Sequence, residues 1–149
     1  MTLDLFDTHA HLHFPEFDAD REAMLARARE AGVRRMVTIG TETTTSRAAV
    51  ALAAREADVW ATVGVHPHDA AAADETALAE IERLAAESRV VAIGEIGLDY
   101  FRNLSPVEDQ QRVFRALLAM ARRIRKPVIV HCRDAGDDVL KILAEEHVT

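Results

Sequence analysis

Short apolar runs alternate with longer stretches of helical period along the whole chain. Leu5–Leu12 reads as a strand, Arg21–Ala31 as a helix closed by Gly32, Val33–Gly40 as a second strand and Thr45–Ala57 as a second helix. Val59–Val65 follows as a strand, Asp74–Glu87 as a helix with Asp74 at its N-cap, and Val90–Ile93 as a fourth strand. Pro106–Lys126 reads as a long helix, with Ser105 as N-cap, Pro106 at the first helical position, Glu108 completing a capping box and Pro127 as the stop. Val128–Val130 is a fifth strand and Asp134–Glu146 a fifth helix, which Asp134 would cap. Five βα units in succession predict a parallel sheet covered by helices. Val90–Ile93 and Val128–Val130 are continuously apolar, as strands buried on both faces should be. A closed (β/α)₈ barrel takes about 250 residues. Five units in 149 residues therefore keep the pace of such a barrel and predict its first part, one domain over 1–149. An open doubly wound sheet is the alternative, but the first strand runs into His-Ala-His and not into a Gly-rich phosphate turn.

Composition narrows the picture. Hydrophobic residues make up 49% of the chain, enough for a buried core. The formal charge of −7 argues against a broad basic surface for nucleic acid, though bound cations could still neutralise phosphates locally. The lone Cys132 permits no internal disulfide and is expected to pack against the helices. No apolar run reaches the roughly 18 residues of a membrane span, and the start lacks a leader pattern. These features predict a soluble cytoplasmic protein with no membrane association and no obligate protein partner.

Ligand-type residues gather at the strand ends. His9 and His11 are two apart on a strand, so they share a face, with Asp7 one step behind and His13 past the strand. Glu95 closes an apolar run between Gly94 and Gly97, where an unpaired carboxylate would be costly to bury. His131 closes another, and His66 stands before Pro67, with His68 and Asp69 beginning a loop. Each signal alone has an ordinary structural explanation: a surface His cluster, a turn carboxylate, a satisfied core histidine. Together His9, His11, His66, Glu95 and His131 lie at C-terminal strand ends, the active-site face of a (β/α)₈ barrel, and suggest a two-ion metal site. The basic run Arg122, Arg123, Arg125, Lys126 ends a helix on the opposite face, where the helix dipole accounts for it.

The motifs DTHAHL, GVHPH, GEIGLDY and PVIVHCRDA, in this order, resemble those of the TatD DNase family across essentially the whole chain. The resemblance implies a TIM-barrel hydrolase related to the amidohydrolases, cleaving phosphodiester bonds of DNA with two divalent cations, among which Mg, Mn and Zn are not distinguished. It implies His9 and His11 on the first ion, Glu95 bridging both and serving catalysis, His131 on the second, and His66 and Arg133 near substrate phosphate. It further implies a His after a sixth strand and an Asp after an eighth, both beyond Thr149. The expectation is therefore an N-terminal fragment with little or no nuclease activity by itself. Two rivals stand beside it: an amidohydrolase acting on C–N or lactone bonds, and an inert half-barrel that only binds metal.

Overall fold

The computed structural model describes residues 4–148. Strands β1 (Leu5–Ala10), β2 (Val33–Ile39), β3 (Val59–Val63), β4 (Val90–Asp99) and β5 (Val128–Arg133) alternate with helices α1 (Arg21–Glu30), α2 (Thr43–Arg55), α3 (Glu75–Ala85), α4 (Val107–Ile124) and α5 (Gly136–Glu145). The strands form one sheet in the order β1-β2-β3-β4-β5, every pair parallel. These are five consecutive βα units of the TIM-barrel type, as the apolar pattern predicts. The core lies between sheet and helices. Met36, Ala61, Val63, Ile93 and Leu98 from the strands meet Leu25, Leu52, Ile81, Leu84, Phe114, Leu117 and Leu118 from the helices, all nearly inaccessible to solvent. At about 25 cal/mol per Å² of apolar surface removed from water, this layer supplies the main stabilisation.

Several local expectations are corrected. β4 does not stop at Ile93. It steps irregularly between Ile93 and Ile96 and then pairs with β5 through Gly97↔His131, Leu98↔Cys132 and Asp99↔Arg133. The glycines read as a turn thus lie inside a strand. At Gly97 the reason is steric: φ is +141° and an added Cβ would collide with the His131 carbonyl. Neither Val91 nor β5 is buried on both faces. Val91 is exposed on the sheet face that also carries Phe6, Arg35 and Trp60, and Val128 and Val130 are half-buried on β5, which ends the sheet among the described residues.

The α4 cap also differs. Pro106 is the N-cap and makes no side-chain cap. Ser105 is instead drawn across to the β3–α3 segment, donating to the His68 carbonyl (2.8 Å) and accepting from the Ala71 amide (3.0 Å). Asp134 does not cap α5; it takes a left-handed φ of 54° and Ala135 occupies the cap position. Cys132 is exposed, not packed under helices. Asp74 does cap α3, accepting from the Ala77 amide (2.8 Å), and Gly32 closes α1 at φ 98°.

Three of the four basic residues at the end of α4 are engaged within the chain. Arg123 pairs with Glu82 (2.7 Å), Arg122 donates to the Glu146 carbonyl (3.2 Å) and Lys126 donates to the Val90 carbonyl. No helix among the described residues is long and apolar enough to cross a membrane.

Candidate metal centre

β1 ends at Ala10, so His9 lies in the strand and His11 just past it. Both still reach one side of Glu95: ligand atoms of His9, His11 and Glu95 all lie within 4.8 Å of one another. A second group, His66, Glu95 and His131, meets the same limit. Glu95 belongs to both. Its Oε2 is 3.4 Å from His9 Nε2 and its Oε1 is 3.1 Å from His131 Nδ1, so its two oxygens face different imidazoles. The carboxylate is only 12% exposed, against 43% for the His9 side chain. Bringing an acid to such a position is unfavourable unless cations or donors surround it.

The ring nitrogens are already sorted by their outer partners. His11 Nδ1 lies 3.0 Å from the Ile39 carbonyl, which can only accept. That proton on Nδ1 leaves the Nε2 lone pair of His11 free. His131 Nε2 lies 3.1 Å from Asp99 Oδ2, and a neutral ring that donates there keeps its Nδ1 lone pair on the Glu95 side. Metal-binding histidines are characteristically held in this way by a carbonyl or carboxylate behind the ring. Two imidazoles with free lone pairs, a third facing a shared carboxylate, and anionic and carbonyl backing fit divalent cations.

His66 differs. Its Nδ1 accepts the His68 amide (3.2 Å), so the proton of the neutral ring sits on Nε2. Burial, then the neighbouring His131, lowers its pKa to about 4, so the ring is neutral at pH 7. A ring in this state offers an N–H donor where His11 and His131 offer lone pairs.

Two residues escaped the sequence reading. Asp99 is 1% exposed and accepts from the Arg102 amide (2.8 Å), His68 Nε2 (2.8 Å) and His131 Nε2 (3.1 Å). Burial alone would raise its pKa, but these donors outweigh it and hold the carboxyl well below the usual range. His68 is therefore no mere loop residue: a 3-10 turn over Pro67–Ala72 directs its ring to Asp99. The available signal was an acid at the far end of an apolar run, hidden because the run was cut at Ile93.

The remaining predicted residues lie around this centre. Asp7 accepts the His9 amide (3.0 Å). His13 is outside the site, buried with Nδ1 on Thr38 Oγ1 (2.8 Å). Desolvation, then His11, then Arg21 lower its pKa to about 4. Arg133 ends β5 with its guanidinium carbon 3.9 Å from the centroid of the Phe101 ring.

Parallel βα units with a carboxylate shared between histidines at their C-terminal strand ends define the first part of a (β/α)-barrel with a candidate metal site on its usual functional face. The family model described as TatD related DNase matches residues 6–149, and the chain belongs to that family. It is 43% identical over 142 residues to the "Uncharacterized metal-dependent hydrolase YabD" of Bacillus subtilis, covering 95% of this chain and 56% of that protein. It is also 43% identical over 139 residues to the "3'-5' ssDNA/RNA exonuclease TatD" of Cronobacter sakazakii, covering 93% and 53%. The crystal structure of YJJV, a TatD homolog from Escherichia coli, superposes with a TM-score of 0.91 at 34% identity, over 98% of this chain and 57% of that one. An uncharacterized amidohydrolase from Saccharomyces cerevisiae gives a TM-score of 0.80 at 24% identity, over 95% and 51%, a likeness of fold. The chain thus spans about half the length of the relatives it matches.

Proposed function

We propose that this site hydrolyses phosphodiester bonds of nucleic acid with divalent cations held by His9, His11, Glu95 and His131. The observation that carries the reading is Glu95, whose two oxygens face His9 at 3.4 Å and His131 at 3.1 Å. Cations bound there would neutralise phosphate charge and make a water more acidic. Glu95 keeps the two ligand groups together and orients the attacking water. His66, neutral and carrying its proton on Nε2, donates to a phosphate oxygen. Arg133 adds a planar cation on the same side of the site. The nucleic-acid substrate is supported by the relatives named as 3'-5' ssDNA/RNA exonucleases, and a 3′-end preference is part of the proposal.

The amidohydrolase alternative draws on a shared fold, but such enzymes often use a lysine-derived bridge on the fourth strand, and Glu95 in that place favours the phosphodiesterase. The test is metal-supplemented hydrolysis of 3′- and 5′-labelled single strands, duplex DNA and RNA, beside amide and lactone substrates. Both the 149-residue chain and a form extended to the length of its relatives are assayed. Expected is nucleotide release by the extended form, weaker from the chain itself, abolished by chelation and by Glu95→Ala. Turnover of amides in preference to nucleic acid, or full activity in Glu95→Ala, overturns the reading.

A further inference from the structure

The segment joining β4 to α4 holds two large apolar side chains largely uncovered by the described residues. Phe101 is 60% exposed and Leu104 is 63% exposed. Single exposed apolar residues are ordinary. This pair is distinguished by how firmly the segment is anchored, and where. Asp99, buried against His131, accepts the Arg102 amide at 2.8 Å, which fixes the turn that carries Phe101. Gln110 accepts the Asp99 amide (2.8 Å) and donates to its carbonyl (3.2 Å). The Tyr100 amide donates to the Arg133 carbonyl (2.9 Å), extending the β4–β5 ladder to the base of the segment. Arg133 lies two residues beyond His131 on β5, so the two side chains share a face roughly 6.6 Å apart along the strand. Its guanidinium carbon is 3.9 Å from the Phe101 ring centroid.

A ring left open on a rigid turn, with a planar cation stacked on it, matches a nucleotide in two respects. A base offers a π face for the ring, and the adjacent phosphate offers oxygens for the guanidinium donors. With a net charge of −7, the chain has to recognise nucleic acid locally.

We propose that Phe101, with Arg133 stacked on it, is a platform that receives an unpaired nucleobase beside the scissile phosphodiester and thereby selects single strands over duplex. This rests on the phosphodiesterase reading above. A base inside a duplex is stacked on both faces by its neighbours and reaches Phe101 only by leaving the stack, at an energetic cost. A base in a single strand or at a frayed end pays far less.

The experiment is fluorescence anisotropy with Mn²⁺ present, using a labelled single-stranded DNA of mixed sequence, its duplex, and the same strand carrying abasic 3′-terminal nucleotides. The chain, Phe101→Ala and Phe101→Trp are compared, with thermal melting to confirm that these exposed substitutions leave the fold intact. Expected is tighter binding of the single strand than of the duplex. Phe101→Ala weakens single-strand binding about five- to a hundredfold, Phe101→Trp retains it, and the abasic strand is insensitive to either. Equal binding by the chain and Phe101→Ala, an equal loss on the abasic strand, or no binding of the single strand at all overturns the platform. Glu95→Gln separates the two claims. Glu95-dependent cleavage with Phe101-independent binding refutes the platform alone. Phe101-dependent binding with no cleavage by the form extended to the length of its relatives refutes the hydrolytic reading alone.

Discussion

The Asp99 carboxylate meets the His131 imidazole at 3.1 Å, Oδ2 to Nε2, on the ring edge remote from Glu95. This places an almost inaccessible acid behind a histidine whose other nitrogen faces the shared carboxylate. Asp99→Asn keeps the shape but lets the amide either accept or donate, so the His131 tautomer is no longer imposed. Cation affinity is expected to fall about ten- to a hundredfold. Calorimetric titration with Zn²⁺ or Mn²⁺ measures the loss, and nitrogen-15 imidazole spectra of the metal-free protein report the tautomer. Unchanged affinity together with an unchanged tautomer would remove Asp99 from its positioning role.

If Glu95 bridges two ions, its loss is felt at both. Glu95→Gln is expected to bring metal content towards zero, whereas His9→Ala and His131→Ala each weaken one ion. The shared membership of Glu95 in the two ligand groups motivates this. Elemental analysis after gel filtration, with circular dichroism to confirm folding, gives ions per chain. Should Glu95→Gln bind as much metal as the unsubstituted chain, the bridge is wrong.

The strand–helix alternation and the gathering of His9, His11, Glu95 and His131 were legible because each lies at or near the C-terminal end of a strand, and parallel βα topology carries such ends to one face. Asp99 was not legible as part of the site. Its role depends on β4 running on to pair with β5, a non-local ladder that overrides the turn signal of Gly94 and Gly97. Ser105 and Asp134 misled for a related reason. Both have cap chemistry, yet Ser105 is captured by His68 and Ala71, and Asp134 adopts a left-handed backbone. Cys132 was expected to pack because strands alternate faces, but β5 ends the sheet among the described residues and Cys132 is exposed.

Gly97 holds β4 against the strand that carries His131. Its φ of +141° suits glycine almost alone, and a Cβ would overlap the His131 carbonyl. Gly97→Ala is expected to destabilise by at least about 3 kcal/mol, combining backbone strain with overpacking, and to weaken metal binding by moving His131. Gly136→Ala is the control: an added Cβ there meets nothing within 4 Å, so little loss of stability is expected. Urea midpoints of the two variants decide the matter. Equal midpoints would mean that the β4–β5 approach relaxes without cost.

The last prediction concerns pH and lies far from the metal centre. Arg29, in the last turn of α1, donates to Asp58 at 2.6 and 2.7 Å and to Glu56 at 2.8 Å, tying α1 to the turn that leads into β3. The hydrogen bonds from Arg29 lower the Asp58 pKa, outweighing partial burial. The folded value therefore lies below the unfolded value of about 3.9. Between the two, the unfolded chain binds the extra proton, so stability rises with pH through that window. The contribution is fully present above about pH 4 and is lost as the pH falls towards the folded value. Arg29→Met keeps most of the alkyl stem and removes the charge. Because the Arg29 side chain is 37% exposed, solvent screening limits the loss at pH 7 to about 1 kcal/mol. Urea denaturation from pH 7 down to pH 3 should show the gap between the two proteins narrowing below about pH 4. A gap of constant size across that range would assign the effect of Arg29 to packing of its stem and not to the ion pair.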